Sequence, residues 1–225
     1  VSERQLNGLE GILSDCGCDK KKDEPEMLNG IDEDLPKNEN VLTVEEVRNK
    51  KYETVPVTDY WLSLLGKFCL PTSFFISGMG GSGKSTWALL FSQYMASLGY
   101  KILYIAKDQL GTPAFTDLLN RLDIKAGENL KITDDLTSLD PKDFHFVVID
   151  NKDDLSLKPK HFQDLKTKYP EQTFILLSRA TKSGDFTGSG EWRNSVDVML
   201  LAENGVIRSG HDKNRWGGKG EMKVF

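Results

Sequence analysis

From residue 72 onwards, short apolar runs alternate with segments whose apolar positions recur at helical spacing. The apolar runs predict β-strands near residues 73–77, 101–105, 130–133, 144–149 and 174–177. The intervening segments predict helices over 84–98, after Pro113 and over 160–168. Continuous apolar strands separated by helices are typical of a parallel sheet that is covered on both faces. The pattern therefore predicts an α/β fold with a central, mostly parallel sheet flanked by helices.

Different patterns flank this alternating region. Residues 1–42 are rich in Asp, Glu, Lys, Asn and Gly and almost free of aromatic side chains, which predicts a disordered acidic tail. Thr43 and Glu46 have the spacing of a helix-capping box, so we predict one folded domain over 43–225. Further elements are predicted as a helix at 59–67, a loop at 181–190 and closing strands near 196–202, 206–209 and 221–225.

A glycine-rich turn follows the first strand predicted in the alternating region. Between Gly78 and Ser85 the sequence reads Gly-Met-Gly-Gly-Ser-Gly-Lys-Ser, which matches the phosphate-binding P-loop pattern. Only glycine lets the backbone turn so sharply and approach phosphate oxygens, and the next helix directs its positive N-terminus at them. In this pattern Lys84 reaches the β- and γ-phosphates and the Ser85 hydroxyl binds Mg²⁺. We therefore predict a nucleotide site formed by Gly78, Gly80, Gly81, Ser82, Gly83, Lys84, Ser85 and Thr86.

Two acidic residues at strand ends extend this prediction. The strand before Asp150 resembles a Walker B strand, so we expect it next to the P-loop strand, with Asp150 and Ser85 holding Mg²⁺. Asp108 follows the strand at 101–105, whose C-terminal end lies at the ligand-binding edge of such sheets. Asp108 is therefore the candidate for orienting or deprotonating an attacking water, with a solvated loop acid as the alternative.

Composition and charge narrow the functional classes. The net charge of −5 and the pI of about 5.3 do not indicate a nucleic-acid binder by themselves. No apolar run approaches the roughly 18 residues that span a bilayer, and no signal-peptide pattern is present, so no membrane association is expected. The cysteines Cys16, Cys18 and Cys69 suggest no disulfide framework, which favours a reducing, cytoplasmic location.

From about residue 60 onwards the chain resembles the RecA-type ATPases, most closely the RadA/Sms and DnaB-helicase branches. Besides the P-loop, the resemblance rests on three segments that follow predicted strands. Tyr-Ile-Ala-Lys-Asp at 104–108 stands where the family has its catalytic glutamate. Ser-Arg-Ala-Thr-Lys at 178–182 resembles the RadA segment that carries a γ-phosphate sensor. Lys-Asn-Arg-Trp-Gly at 213–217 is similar to the RadA motif Lys-Asn-Arg-Phe-Gly and to the DnaB pattern Lys-x-Arg-x-Gly.

The resemblance implies an ATPase that uses ATP and Mg²⁺ and works as a homo-oligomer, either a ring or a filament. In these families the Lys and Arg of the last motif reach the ATP of the neighbouring subunit. Two such cations, two positions apart on a strand, point the same way and can neutralise a transferring phosphoryl group. Two positions depart from the family: Asp108 is one methylene shorter than glutamate, and Arg179 replaces His or Gln. The implied catalytic residues are Lys84, Asp108, Asp150, Arg179, Lys213 and Arg215.

The resemblance also makes single-stranded DNA the expected partner, in a replication, recombination or helicase role of a phage or mobile-element protein. In RecA-type proteins the loops that correspond to 151–160 and 181–194 line a central channel. Here they carry several acids together with the cations Lys152, Lys158, Lys160, Lys182 and Arg193. Trp192 is interpreted either as a base-stacking residue or as part of the core. For the aromatics Tyr60 and Trp61, packing in the core is favoured over base stacking by one of them.

Two other functions stay open from the sequence. A nucleotide-switched assembly ATPase that ignores DNA agrees with the acidic tail. A small-molecule P-loop kinase is less favoured, because kinases need a lid with arginines and the 181–195 loop has one. Residues 151–154, Asn-Lys-Asp-Asp, come close to a guanine-reading pattern, but they directly follow the Walker B strand, so ATP is favoured over GTP.

Overall fold

The computed structural model describes residues 41–180 and 189–225, and the chain divides into two units with the boundary between Lys50 and Lys51. In the first unit, helix α1 spans Val44–Asn49. The Thr43 side chain accepts a hydrogen bond from the Glu46 backbone N–H, and the Glu46 carboxylate accepts one from the Thr43 backbone N–H. The predicted capping box is therefore confirmed. The predicted tail, apart from residues 41 and 42, lies outside the described residues.

Within the described part of the second unit, eight strands form one sheet. They are β1 (Ser73–Gly78), β2 (Ile102–Ile105), β3 (Leu130–Thr133), β4 (Phe146–Ile149), β5 (Thr173–Arg179), β6 (Val198–Glu203), β7 (Val206–Asn214) and β8 (Glu221–Lys223). Their spatial order is β3-β2-β4-β5-β1-β6-β7-β8. The first six in this order run parallel, and β7 and β8 are antiparallel additions at one side. The predicted mostly parallel sheet is confirmed.

Helices cover both faces of this sheet. They are α2 (Asp59–Leu65), α3 (Lys84–Ser97), α4 (Pro113–Arg121), α5 (Pro159–Lys168) and α6 (Ser189–Ser195), with short 3₁₀ turns at Gly127–Asn129 and Pro141–Asp143. Side chains alternate along each strand, so Phe74 and Ile76 pack with α2, α3 and α4, whereas Phe75 packs with α5 and α6. None of the helices described in the structure is both long and apolar enough to cross a membrane.

The strand order corrects one expectation. The strand that leads to Asp150 is β4, and it does not lie next to β1, because β5 pairs with both of them. Neighbouring strands are about 4.8 Å apart, so the P-loop strand and the Walker B strand are separated by about 10 Å. The order could not be read from the sequence because β1, β2 and β4 are all buried throughout and carry similar apolar patterns.

Two aromatic side chains with open interpretations both lie in the core. Trp61 is 3% exposed and stacks on Tyr94, with ring centroids 5.4 Å apart, so it packs between α2 and α3. Trp192 is 1% exposed and packs between Phe75 and Phe162 on the opposite face of the sheet. Trp192 belongs to α6, which begins at Ser189 within the segment 181–194 that the resemblance assigned to a channel loop. The base-stacking interpretations of both residues are therefore wrong.

Candidate functional site

The glycine-rich turn joins the C-terminal end of β1 to the N-terminus of α3. Gly78 is the last residue of β1, and a Cβ there would lie 2.3 Å from the carbonyl oxygen of Ala202 on β6. Gly83 is the N-cap of α3 and has φ of 101°, a conformation that L side chains rarely adopt. The first N–H groups of α3 have no partner within the helix and point into the turn, as an anion-binding site requires.

Lys84 is held inside this turn. Its Nζ donates to the carbonyl oxygens of Gly78 and Met79, both at 2.8 Å, and lies 3.5 Å from the Ser82 Oγ. The residue is 8% exposed, and burial lowers the pKa of its ammonium group, while the nearby carboxylate of Asp150 raises that pKa. A phosphate oxygen is a stronger acceptor for an ammonium group than a carbonyl oxygen is. The turn therefore presents a cation with neutral acceptors that an incoming phosphate can replace.

Asp150 lies directly after β4 and is 3% exposed. Its Oδ2 accepts hydrogen bonds from the Tyr104 hydroxyl at 2.8 Å and the Gln109 Nε2 at 3.3 Å, and the Ser85 hydroxyl also donates to this carboxylate. Burial raises the pKa of Asp150, and these three hydrogen bonds and the charge of Lys84 lower it in part. Burial and Asp150 hold the pKa of Tyr104 well above its usual range, so that hydroxyl stays a donor.

The pair of oxygens from Ser85 and Asp150 fits a magnesium ion. Mg²⁺ prefers hard oxygen ligands and usually takes only one or two from the protein, with water and substrate phosphates completing the shell. Among residues 41–180 and 189–225 no group of three or more His, Cys, Asp or Glu side chains could hold a metal ion. A magnesium ion held by Ser85 and Asp150 would take its other ligands from water and from phosphate oxygens of a bound nucleotide.

Arg179 enters the same region because β5 lies between β1 and β4. It pairs with Gly78 in the strand register and is the last residue of β5. Its guanidinium contacts the Asp154 carboxylate at 3.2 Å, and its charge contributes to the lowered pKa of Lys84, after burial. The backbone N–H of Arg179 donates to the Asp153 Oδ2 at 3.0 Å. Arg179 is thus placed where a charged side chain can face a phosphate held by the turn.

Asp108 is exposed in the turn that follows β2. Its charge contributes to the raised pKa of Asp154, of which burial is the largest cause, so the two carboxylates lie near each other. Gln109, its neighbour, makes the contact between this turn and Asp150. The sequence analysis did not single out Gln109, because an amide beside a candidate acid has no distinguishing pattern. Asp108 lies at the predicted ligand-binding edge of the sheet. Its two interpretations, a residue that orients the attacking water and a solvated loop acid, both stay open.

Lys213 and Arg215 are not brought to this edge. Asn214 lies opposite Val198 at the start of β6, whereas Ala202 lies beside Gly78, so the two cations are about four strand residues, or 13 Å, from the level of the P-loop. The Arg215 guanidinium contacts Asp197 at 3.1 Å, and the Lys213 Nζ donates to the Arg193 carbonyl oxygen at 2.6 Å. Within one chain, these cations lie near the N-terminal ends of the parallel strands β1 and β6, whereas Lys84 follows the C-terminal end of β1.

A cavity of about 620 Å³ lies beside the P-loop. Beyond residues 81–86, its walls come from α4 and from the last two residues: Leu118, Arg121, Leu122, Val224 and Phe225. The volume and the mixture of apolar side chains with one cation suit a small-molecule ligand. Leu118 and Leu122 were visible in the sequence only as one face of a helix, and no pattern marked Phe225.

Fold and site together define the class: the chain has the RecA-type P-loop ATPase fold. The DNA repair protein RadA of Campylobacter jejuni is 24% identical over 244 residues, which cover 96% of this chain and 55% of RadA, so the chain spans about half the length of this relative. No family model matches the chain.

Two solved structures share the fold. The flagellar accessory protein FlaH of Methanocaldococcus jannaschii superposes with a TM-score of 0.53 and 13% identity, covering 77% of this chain and 92% of FlaH. The KaiC-like protein PH0186 of Pyrococcus horikoshii superposes with a TM-score of 0.50 and 16% identity, covering 67% of this chain and 81% of PH0186. At these identities the likeness shows a common fold.

The contact between Gly78 and β6 leads to a stability prediction. In Gly78→Ala the added methyl group meets backbone, so the strand or the loop must move, and we expect a loss of about 1–3 kcal/mol in the free energy of unfolding. In Gly80→Ala the methyl group meets no atom within 4 Å, and we expect a change below about 0.5 kcal/mol. Urea unfolding of the unliganded proteins measures both, and equal stability of the two variants would contradict the prediction.

The hydrogen bond from Tyr104 to Asp150 leads to a pH prediction. This bond lowers the pKa of a carboxyl group that burial raises, so Tyr104→Phe should raise that pKa further. Because only the ionised carboxylate can hold Mg²⁺, the acidic limb of Mg²⁺-dependent nucleotide binding should move to higher pH. Nucleotide-binding titrations between pH 4 and 8 measure this shift. Tyr94→Phe, which removes a hydroxyl near Thr58 instead, should leave the limb in place.

Proposed function

We propose that the chain is an ATP-hydrolysing enzyme that acts on single-stranded DNA as an assembly of identical subunits. The observation that carries the proposal is the convergence of Lys84, Ser85, Asp150 and Arg179 at one edge of the sheet, beside a cavity of nucleotide size. A P-loop cation, a hydroxyl–carboxylate pair and a further cation are the groups that phosphoryl transfer requires. The fold shared with FlaH and PH0186 supports the ATPase part.

The chain's residues would act on ATP in defined ways. Lys84 would leave the Gly78 and Met79 carbonyl oxygens and donate to the β- and γ-phosphates. Ser85 and Asp150 would hold Mg²⁺, which neutralises charge on these phosphates when it is bound. Arg179 would exchange its contact with Asp154 for the γ-phosphate.

The attacking water and the adenine of ATP would contact other parts of the site. Asp108, exposed beside Asp154, would accept a hydrogen bond from the attacking water and orient it. The adenine would enter the cavity between the leucines of α4 and Phe225, where Arg121 can lie against the ring. The segment at 151–154, whose sequence resembles a guanine-reading motif, does not line this cavity, and Lys152 within it is buried. Both observations favour ATP over GTP as the nucleotide.

Assembly into a ring or filament would complete the site. Lys213 and Arg215 lie at the edge opposite their own P-loop, so they would reach the phosphates of a neighbouring copy. The Arg215 side chain is 60% exposed and therefore accessible to such a neighbour. Hydrolysis would then depend on assembly.

Support for DNA as the partner comes from similarity and from a few cations. The relative from Campylobacter jejuni is named a DNA repair protein. Lys158 and Lys160 are exposed where α5 begins, and cations in such a position can contact phosphates. Lys182 lies outside the described residues, and Lys152 and Trp192 are buried. Because few of the predicted DNA contacts remain, we keep a second candidate function. In this function the chain is an assembly ATPase whose oligomeric state or partner binding is switched by nucleotide and is not affected by DNA.

ATP hydrolysis by the purified chain, measured across protein concentration with and without single-stranded DNA, tests the proposal. We expect stimulation by DNA that rises steeply with protein concentration, and no turnover by Lys84→Ala. Hydrolysis that depends on protein concentration but ignores DNA at low salt would overturn the DNA role and support the second candidate. Normal turnover by Lys84→Ala would contradict the assignment of the P-loop.

Mixed assemblies test action between subunits. Arg215→Ala and Asp108→Ala should each be inactive alone, and an equal mixture should recover activity. In such a mixture about a quarter of the sites combine an intact Asp108 with an intact Arg215 from the neighbour. Arg208→Ala is the matched control, because Arg208 also lies near the end of the chain but pairs with Glu203 and Glu221, and it should be active alone. Absence of recovery in the mixture would rule out action between subunits.

A further inference from the structure

A lysine lies in the protein interior two residues after Asp150. The Lys152 side chain is 4% exposed, and its Nζ lies 2.6 Å from the Asp153 Oδ1. The same Nζ lies 5.1 Å from the ring centroid of Trp192 and 6.0 Å from that of Phe75. Lysine is almost never fully buried unless it is paired, and its partner here keeps contact with solvent, since the Asp153 side chain is 34% exposed. Desolvation penalises the Lys152 charge, and a partly exposed partner offsets only part of this cost, so the charge calls for another explanation.

Asp153 connects this lysine to the strand that carries Arg179. While its Oδ1 accepts from Lys152, its Oδ2 accepts from the Arg179 backbone N–H at 3.0 Å and lies 3.3 Å from the Ser178 Oγ. Burial opposes ionisation of Asp153, but the hydrogen bonds from Lys152 and from the Arg179 backbone outweigh it and lower the pKa. The ionised carboxylate therefore bridges Lys152 and the end of β5.

Trp192 connects the same lysine to the far edge of the sheet. Trp192 belongs to α6, and the last carbonyl oxygens of this helix accept hydrogen bonds from two lysines. The Lys213 Nζ donates to the Arg193 carbonyl oxygen and the Lys166 Nζ to the Ser195 carbonyl oxygen, both at 2.6 Å. The position of α6 therefore sets the position of Lys213.

We propose that Lys152 is a positioning residue that couples Arg179 at the phosphate edge to α6 and Lys213 at the opposite edge. The inference rests on the proposed function, since it requires that Arg179 respond to a bound nucleotide. When Arg179 leaves Asp154 for a phosphate, its backbone N–H moves relative to Asp153, and Lys152 follows the Asp153 carboxylate across the Trp192 ring. Lys152 touches neither the P-loop nor the cavity, so it acts through these neighbours.

Lys152→Met tests this role, because methionine keeps the length of the side chain and its packing on Trp192 while it removes the charge. We expect the dissociation constant for ATP to stay within about twofold of wild type, and kcat to fall at least tenfold with little change in KM. The matched control is Lys142→Met, at an exposed lysine ten positions earlier in the chain with no role in the proposed function, which should hydrolyse ATP at the wild-type rate. A kcat of Lys152→Met within twofold of wild type would overturn the inference.

A second variant separates positioning from simple charge neutralisation. Lys152→Met together with Asp153→Asn removes both charges of the pair, so no carboxylate loses its partner, and the double variant should recover the thermal stability lost in Lys152→Met. If Lys152 positions Arg179 and α6, kcat stays at least tenfold below wild type in this folded double variant. Recovery of kcat together with stability would assign Lys152 a purely structural role.

A spectroscopic measurement on the wild-type chain needs no variant at Lys152. With 5-fluorotryptophan incorporated, the ¹⁹F resonance of Trp192 is identified by its loss in Trp192→Phe. A non-hydrolysable ATP analogue should shift this resonance in wild type and not in Lys152→Met saturated with the same analogue. Binding of the analogue without a shift in wild type would overturn this inference alone. Absence of nucleotide binding would overturn the proposed function and, with it, the inference.

Discussion

The placement of β5 between β1 and β4 is the constraint on which the site depends. Strand spacing sets about 10 Å between the P-loop strand and the strand that ends at Asp150, and the Ser85 hydroxyl of the turn reaches across this distance to donate to that carboxylate. The register of β5 on β1 then places Arg179 beside Gly78, within this gap. Glycine at position 78 is part of the same constraint, because β6 closes on β1 from the other side.

Buried charge accounts for much of the chemistry at this edge. Lys84 and Asp150 both lie in the interior, where burial disfavours their charged forms, and each shifts the pKa of the other back towards its usual value. Without a ligand, Lys84 is satisfied by carbonyl oxygens and Asp150 by hydroxyl and amide donors. In the proposed function these neutral partners would be exchanged for phosphate and metal without a change in the surrounding fold.

Local patterns were enough to place the strands between residues 73 and 177, the glycine-rich turn between a strand and a helix, and Asp150 at a strand end, because each depends on residues close together in the chain. The order of β1, β5 and β4 was not predictable, since it depends on pairing between strands about a hundred residues apart with similar apolar patterns. For the same reason Lys152 and Trp192 looked like channel residues. Their burial depends on contacts with Phe75 and Phe162, which are distant in sequence, and on a helix at Ser189–Ser195, a segment that the family resemblance had assigned largely to a channel loop.

The reversal of the chain after β6 determines where the motif at 213–217 lies. Since β7 runs antiparallel, the motif at 213–217 returns to the edge where β1 begins, and Asp197 holds Arg215 there. The Arg215 side chain is 60% exposed but that of Asp197 only 27%, and Asp197 also accepts hydrogen bonds from the backbone N–H and the hydroxyl of Ser73. In the proposed assembly Arg215 would exchange this carboxylate for a nucleotide phosphate, which carries more negative charge. Asp197 would keep its two hydrogen bonds from Ser73 after that exchange, so the carboxylate would not be left without a partner.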